Sequence, residues 1–191
     1  MEIGANHGGL SVWLAQQGHN VLCSDLENTD QQARGLVERY GAGDLVRFAD
    51  IDATAIPYDE AFDVIIFKSV LGGVGHGGNI ERQRSAVRAM HRALRPGGRL
   101  LFAENLTGSP LHAWLRRRFI EWGGRWRYVT IEEMQAFLEP FSRVRYGATG
   151  FLGTFGRSEK QRRALSIFDR LFLNATVPPS WRYIIYGVAT K

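Results

Sequence analysis

Apolar positions along the 191-residue chain keep two rhythms, and the switches between them mark out alternating strands and helices. Leu10, Trp13 and Leu14 repeat at helical spacing until Gly18 stops them, and residues 20–24 then read as a strand. Asn28 or Thr29 can cap a helix with Ala33, Leu36, Val37 and Tyr40 on one face and Gly41 at its end. Residues 45–48 form a short strand. Residues 62–67 form one that is apolar except for Asp63, of the kind that sits mid-sheet with both faces covered. A helix opening at Asn79 buries Ile80, Gln83, Val87, Met90 and Leu94, and Pro96-Gly97-Gly98 turns the chain into a strand at 99–103.

The second half is less regular. Ser109-Pro110 starts a helix that carries Leu111, Trp114, Leu115, Phe119 and Trp122 on one face. Thr130 with Glu133, and Ser158 with Gln161, have the spacing of capping boxes that open two further helices. A strand near 144–148, a glycine-rich stretch at 149–156 and a last strand at 183–189 complete the chain. Strand–helix alternation with right-handed crossovers predicts an α/β protein built on a doubly wound, mostly parallel sheet, as one domain over 1–191.

In such a sheet the most informative stretch is the first. A short strand runs into the turn Gly4-Ala5-Asn6-His7-Gly8-Gly9, a helix follows, and the second strand ends in Asp25, 21 residues after Gly4. That order binds an adenosine-containing ligand at the carboxyl ends of the strands. A dinucleotide needs glycine at the second position of the turn so that its pyrophosphate can approach, and Asn6 stands there instead. S-adenosylmethionine carries a sulfonium, an amino acid end and a ribose diol but no phosphate, and the acids Glu2 and Asp25 suit it better. An NAD(P)-dependent oxidoreductase is the alternative, weakened further by the lack of a Tyr-x-x-x-Lys pair.

Composition narrows the setting. An apolar fraction of 45% with 23% charged residues fits a soluble globular protein. The sequence lacks any apolar run of about 18 residues and any secretory leader, and Cys23 is its only cysteine. A reducing cytoplasm is therefore expected. Charge is uneven: residues 1–90 hold 7 basic and 12 acidic side chains, residues 91–191 hold 17 and 7. The basic half favours acidic partners.

Three further stretches accompany the turn: Asp50-Ile51-Asp52-Ala53 with Ile56-Pro57-Tyr58, Phe62-Asp63-Val64-Ile65-Ile66, and Leu94-Arg95-Pro96-Gly97-Gly98. Together with Glu2-Ile3-Gly4-Ala5-Asn6-His7-Gly8-Gly9 they resemble, in order and spacing over roughly residues 2 to 105, the class I S-adenosylmethionine-dependent methyltransferases that act on small molecules. The resemblance implies a Rossmann-like sheet with an antiparallel C-terminal strand. It places Glu2, Gly4, Ala5 and Gly8 at the methionine end of the cofactor and Asp25 on the ribose hydroxyls. Asp52 falls on the adenine-side acid, with Ile51 or Ala53 against the base, and Asp50 is a rival two residues away. Lys68 and Ser69 would line the cleft between cofactor and acceptor. Because the family's first strand starts earlier, after one or two helices, those helices and part of that strand are expected to be missing here.

The acceptor side is harder to read. Methyl transfer rests mainly on alignment, and whether a base is needed depends on the acceptor. His76, just after the fourth strand, is the catalytic candidate, while His7 is expected to serve through its backbone. His19, His91 and His112 lack companions at ligand spacing, so no metal is expected. Residues 114–127 mix aromatics with five arginines. They suit steering of an anionic acceptor or contact with a membrane surface holding a lipid-linked substrate better than nucleic acid, or else form a helix with an apolar inner face and a solvated basic outer face. The stretch 149–156, with Phe151 and Phe155, is either a lid over the acceptor pocket or an ordinary packed connection. A non-catalytic subunit that only binds the cofactor is the remaining reading.

Overall fold

The computed structural model describes residues 1–119, 126–156 and 158–191. Among them, seven strands form one sheet in the order β3-β2-β1-β4-β5-β7-β6. These are β1 (Glu2–Ile3), β2 (Val21–Asp25), β3 (Val46–Asp50), β4 (Phe62–Lys68), β5 (Leu94–Asn105), β6 (Arg143–Thr149) and β7 (Ile184–Thr190). All neighbours are parallel except those of β7, which runs antiparallel to both β5 and β6. The order reverses between β1 and β4, and a doubly wound sheet opens its ligand crevice at such a point. The expected architecture is present, antiparallel C-terminal strand included.

The central strand β1 has only two residues, but both are buried. Its ladder pairs Glu2 with Cys23 and Ile66, and Ile3 with Ser24 and Phe67. Met1 N extends the ladder by donating to the Val64 carbonyl at 2.9 Å. One apolar cluster joins Ile3, Ile65, Phe67, Met90, Leu100 and Phe137. A second gathers Ala5, Val12, Cys23, Ala33 and Val37.

Helix α1 (Gly9–Gln16) joins β1 to β2, α2 (Thr29–Arg39) joins β2 to β3, and α3 (Leu71–Val74) and α4 (Ile80–Ala93) lie between β4 and β5. In α4 the Asn79 side chain caps the amide of Arg82, and Gln83, Val87 and Met90 are buried as their spacing requires. In α2, Ala33 and Val37 face inward while Tyr40 is exposed. Helix α1 departs from expectation. Its buried residues are Ser11, Val12 and Ala15, Leu10 lines a cleft and Trp13 is exposed. Small residues let α1 approach the sheet closely, and Ser11 must face inward because it bonds the buried Glu2 carboxylate.

Helices α5 (Pro110–Phe119), α6 (Ile131–Phe137) and α7 (Glu159–Phe168) belong to the second half. The Thr130–Glu133 capping box opens α6 as expected, and Ser158 caps α7 by accepting from the Gln161 amide. In α5 the face is again different. His112 and Arg116 are buried, whereas Leu111 and Trp114 are exposed; Trp122 lies outside the described residues. Arg116 donates from Nη1 to the carbonyls of Leu106 (2.7 Å) and Thr107 (3.0 Å), with its guanidinium 3.9 Å from the Tyr128 ring centre. Satisfied polar groups thus replace the apolar stripe that the spacing suggested.

Candidate functional site

A cleft of about 1000 Å³ opens at the carboxyl ends of β1, β2 and β4. Its wall includes Glu2, Gly4, Ala5, Asp25, Ile51, Asp52, Ala53, Lys68, Ser69 and His76, which the sequence had proposed from four separate stretches. Gly8 is the exception. A β-carbon there would lie 2.9 Å from that of Ala33, so Gly8 sits behind the turn and lets α1 pack on α2, while Gly9 reaches the cleft.

The turn is held by charge. Gly4 has φ +66° and faces Val70 too closely for any side chain, and Asn6 takes the left-handed conformation at φ +49°. The Asn6 amide donates to Asp25 Oδ2 at 2.7 Å, and Asp25 Oδ1 accepts from Leu26 N at 2.7 Å. Glu2 lies beneath the turn, and its Oε2 accepts from Ser11 N (2.7 Å) and Ser11 Oγ (2.5 Å). Burial pushes the Glu2 carboxyl above its ordinary pKa, and the Ser11 bonds offset only part of that.

Asp50 and Asp52 have different surroundings. Asp50 accepts from Thr29 N at 2.9 Å and Asn28 N at 3.1 Å, so it holds the start of α2 and does not line the cleft. Asp52 lines the cleft. Its Oδ1 accepts from Thr54 N and Thr54 Oγ1, both at 2.8 Å, and its Oδ2 pairs with Arg82 at 3.2 Å. Burial opposes ionisation of Asp52, but the Thr54 bonds and the Arg82 guanidinium outweigh it and keep the carboxyl below its usual range.

Four supporting residues escaped sequence reasoning. Glu104, buried at the end of β5, accepts from Val70 N (2.8 Å) and Leu71 N (2.7 Å) and so fixes the start of α3 beside Lys68 and Ser69. Burial raises its pKa to about 7, against the opposing pull of those amide bonds. Gln83 had been read only as a member of the buried stripe. Its Nε2 donates to the carbonyls of Leu71 (2.7 Å) and Arg127 (2.9 Å). Arg127 in turn donates to Gln83 Oε1 and pairs with Glu133, both at 2.6 Å. The neighbouring Trp126 lines the cleft and packs so tightly on Gly72 that no β-carbon fits there. An acid at a strand's carboxyl end and a glutamine in an apolar stripe were the available signals.

His76 stands exposed on the cleft rim, and His7 is not on its wall. His112 is committed elsewhere. Its Nδ1 lies 2.7 Å from Ser109 Oγ, its Nε2 2.8 Å from the Phe151 carbonyl, and Phe155 stacks on its ring at 4.9 Å. Burial depresses its pKa. Phe151 and Phe155 thus pack the loop on α5 and do not line the cleft, which is the packed-connection reading of 149–156. Among the described residues, no group of three His, Cys, Asp or Glu could hold a metal ion, and no helix is long and apolar enough to cross a membrane.

The sequence model of the methyltransferase domain matches residues 1–102. A ubiquinone/menaquinone biosynthesis C-methyltransferase UbiE from Azotobacter vinelandii is 43% identical over 110 residues, covering 54% of this chain and 41% of that protein. The chain spans between 33% and 41% of the length of the curated relatives it matches. Phosphoethanolamine N-methyltransferase 2 of Haemonchus contortus, solved with S-adenosyl-L-methionine, superposes with TM-score 0.69 at 17% identity, covering 100% of this chain and 47% of that one. The [4+2]-cyclase SpnF superposes with TM-score 0.66 at 17% identity, over 100% of this chain and 73% of that one. At such identities these two likenesses concern the fold.

Proposed function

The chain belongs to the methyltransferase domain family, and we propose that it transfers a methyl group from S-adenosylmethionine to a small, lipid-linked acceptor. One observation carries the choice of cofactor. The amide of Asn6, which would face a pyrophosphate, is already bonded to the Asp25 carboxylate, so the turn offers the cleft a negative charge. Glu2 and Asp52 share the wall with Lys68 and Arg82, and the acids gathered at the turn suit a sulfonium and an ammonium better than a pyrophosphate. That weighs against a nicotinamide coenzyme.

Bound there, S-adenosylmethionine would supply a methyl group activated on its sulfonium: the acceptor bonds to that carbon in line as the carbon–sulfur bond breaks and the neutral thioether leaves. The residues then have positional work. Both Ser11 bonds fall on Glu2 Oε2, which leaves Oε1 for the ammonium end. Asp25 would hold the ribose hydroxyls, and Asp52, fixed by Thr54 and Arg82, would take the adenine end with Ile51 and Ala53 as an apolar platform. Gly4, Ala5 and Lys68 complete the wall, and His76 on the rim is the candidate base for an acceptor that must lose a proton. Alignment of well-oriented reactants contributes up to about 7 to 11 kcal/mol of a barrier.

The acceptor follows the relatives. One relative is named a ubiquinone/menaquinone biosynthesis C-methyltransferase, and an apolar, lipid-linked acceptor suits a cleft partly walled by Leu10, Val70, Val74 and Trp126. A reducing cytoplasm suits the buried free thiol of Cys23. Calorimetry with S-adenosylmethionine and with NAD tests the cofactor: heat with the first alone is expected, and heat with NAD alone refutes the reading. Transfer of labelled methyl to a panel of hydroxylated quinols and other small acceptors separates an enzyme from a subunit that only binds cofactor.

A further inference from the structure

We propose that the outer side of α7 and its extension is a docking surface for an anionic lipid bilayer. Residues 150–183 join β6 to β7, and within them α7 continues as a π-helical turn, Asp169–Leu173, and a short helix, Asn174–Thr176. The inner side is tied down by Asp169. This buried carboxylate accepts from the amides of Phe151 (2.9 Å), Leu152 (2.9 Å) and Gly153 (2.8 Å).

The outer side has no such partner among the described residues. Ile167, Phe168, Leu171 and Phe172 are 52%, 45%, 61% and 57% exposed. Ala164 and Ala175 are exposed as well, so apolar side chains stand in solvent along α7, the π-helical turn and the short helix that follows. The rings of Phe168 and Phe172 lie 5.0 Å apart, so the apolar surface is continuous. A water-surrounded protein seldom leaves such a surface uncovered.

Charge selects the occupant. Lys160, Arg163 and Arg170 are exposed on the same helical run. Between β6 and β7 the sequence has six basic side chains against two acidic ones. A second copy of the chain would set these cations against themselves across a two-fold axis. Anionic headgroups neutralise them while the aromatic and aliphatic tips enter the acyl boundary, the arrangement of an interfacial helix.

The surface is also well placed. Because β4, β5 and β6 all run in one direction, the segment leaving β6 at Thr149 starts from the same edge of the sheet where the cleft opens. If the proposed activity holds, on which this clause alone rests, docking there presents the cleft to an acceptor dissolved in the bilayer.

Flotation tests the proposal. The chain should rise with vesicles of equal parts phosphatidylcholine and phosphatidylglycerol. Partition should be at least about tenfold weaker with phosphatidylcholine alone, and it should fall with added salt. Arg163→Gln and Arg170→Gln should each weaken it about fivefold. The double variant Leu171→Ser with Phe172→Ser should lose about tenfold or more, with an unchanged circular dichroism spectrum because both side chains are exposed. No flotation with the anionic vesicles overturns the proposal, as does a double variant that floats like the wild type. A concentration-dependent dimer in sedimentation equilibrium that the double variant abolishes also overturns it, assigning the surface to a second copy. Flotation reads no turnover, so its failure leaves the proposed methyl transfer standing, and a failed transfer assay leaves the docking standing.

Discussion

The backbone amide of Asn6 donates to the carboxylate of Asp25 at 2.7 Å, across 19 positions of sequence, and so ties the first turn to the end of the second strand. One side chain therefore shapes the turn and charges the cleft. Asp25→Ala should weaken S-adenosylmethionine about 10- to 150-fold, the equivalent of about 1.5 to 3 kcal/mol for a charged hydrogen bond. Isothermal calorimetry reads this directly, and unchanged affinity would put the ribose elsewhere.

Asp50 and Asp52 should separate cleanly. Asp50→Ala removes the carboxylate at the start of α2 and should lower the melting temperature without altering cofactor affinity. Asp52→Ala should do the reverse, weakening the cofactor with a smaller change in melting temperature. Thermal scans with and without S-adenosylmethionine distinguish the two, and a loss of ligand-induced shift in the Asp50 variant alone would exchange their roles.

Gly8 tests packing apart from binding. Its φ of +74° and the 2.9 Å approach to Ala33 make Gly8→Ala costly twice over, through left-handed strain and overpacking. About 2 to 4 kcal/mol of stability should be lost in urea unfolding. Gly9→Ala, with open space around it, should stay within about 0.5 kcal/mol of the wild type.

Glu104 should give stability a pH dependence. Its folded pKa near 7 lies above the ordinary 4.5, so between those values the folded state holds the extra proton. Stability from this group is greatest below pH 4.5 and declines as pH rises to 7, by on the order of 3 kcal/mol. Urea unfolding across that window should show a flatter profile for Glu104→Gln; parallel profiles would mean that the amides of α3 keep the carboxylate ionised.

His76→Ala should slow turnover about 100-fold or more if the rim histidine accepts a proton, while the affinity for S-adenosylmethionine stays within twofold of the wild type. Full turnover removes His76 from the chemistry.

What the sequence made legible follows physical range. The alternation of strands and helices and the cleft wall rest on short motifs whose backbone geometry is local, and Glu2, Asp25 and Asp52 came into view that way. The faces of α1 and α5 did not. Their inward residues, Ser11 in one and His112 with Arg116 in the other, are buried because distant partners satisfy them, and apolar spacing carries no trace of those bonds. Trp126 against Gly72 is likewise a contact across 54 positions, visible only once the chain has closed on itself.

The Asp169 carboxylate gathers three consecutive amides into one small knot, and this knot, with the His112 ring stack, does much to tether the excursion between β6 and β7. Such a fastening is local to the excursion and to α5. Evolution could therefore exchange what hangs outside the knot, and with it the company this protein keeps, without disturbing the scaffold that grips the donor.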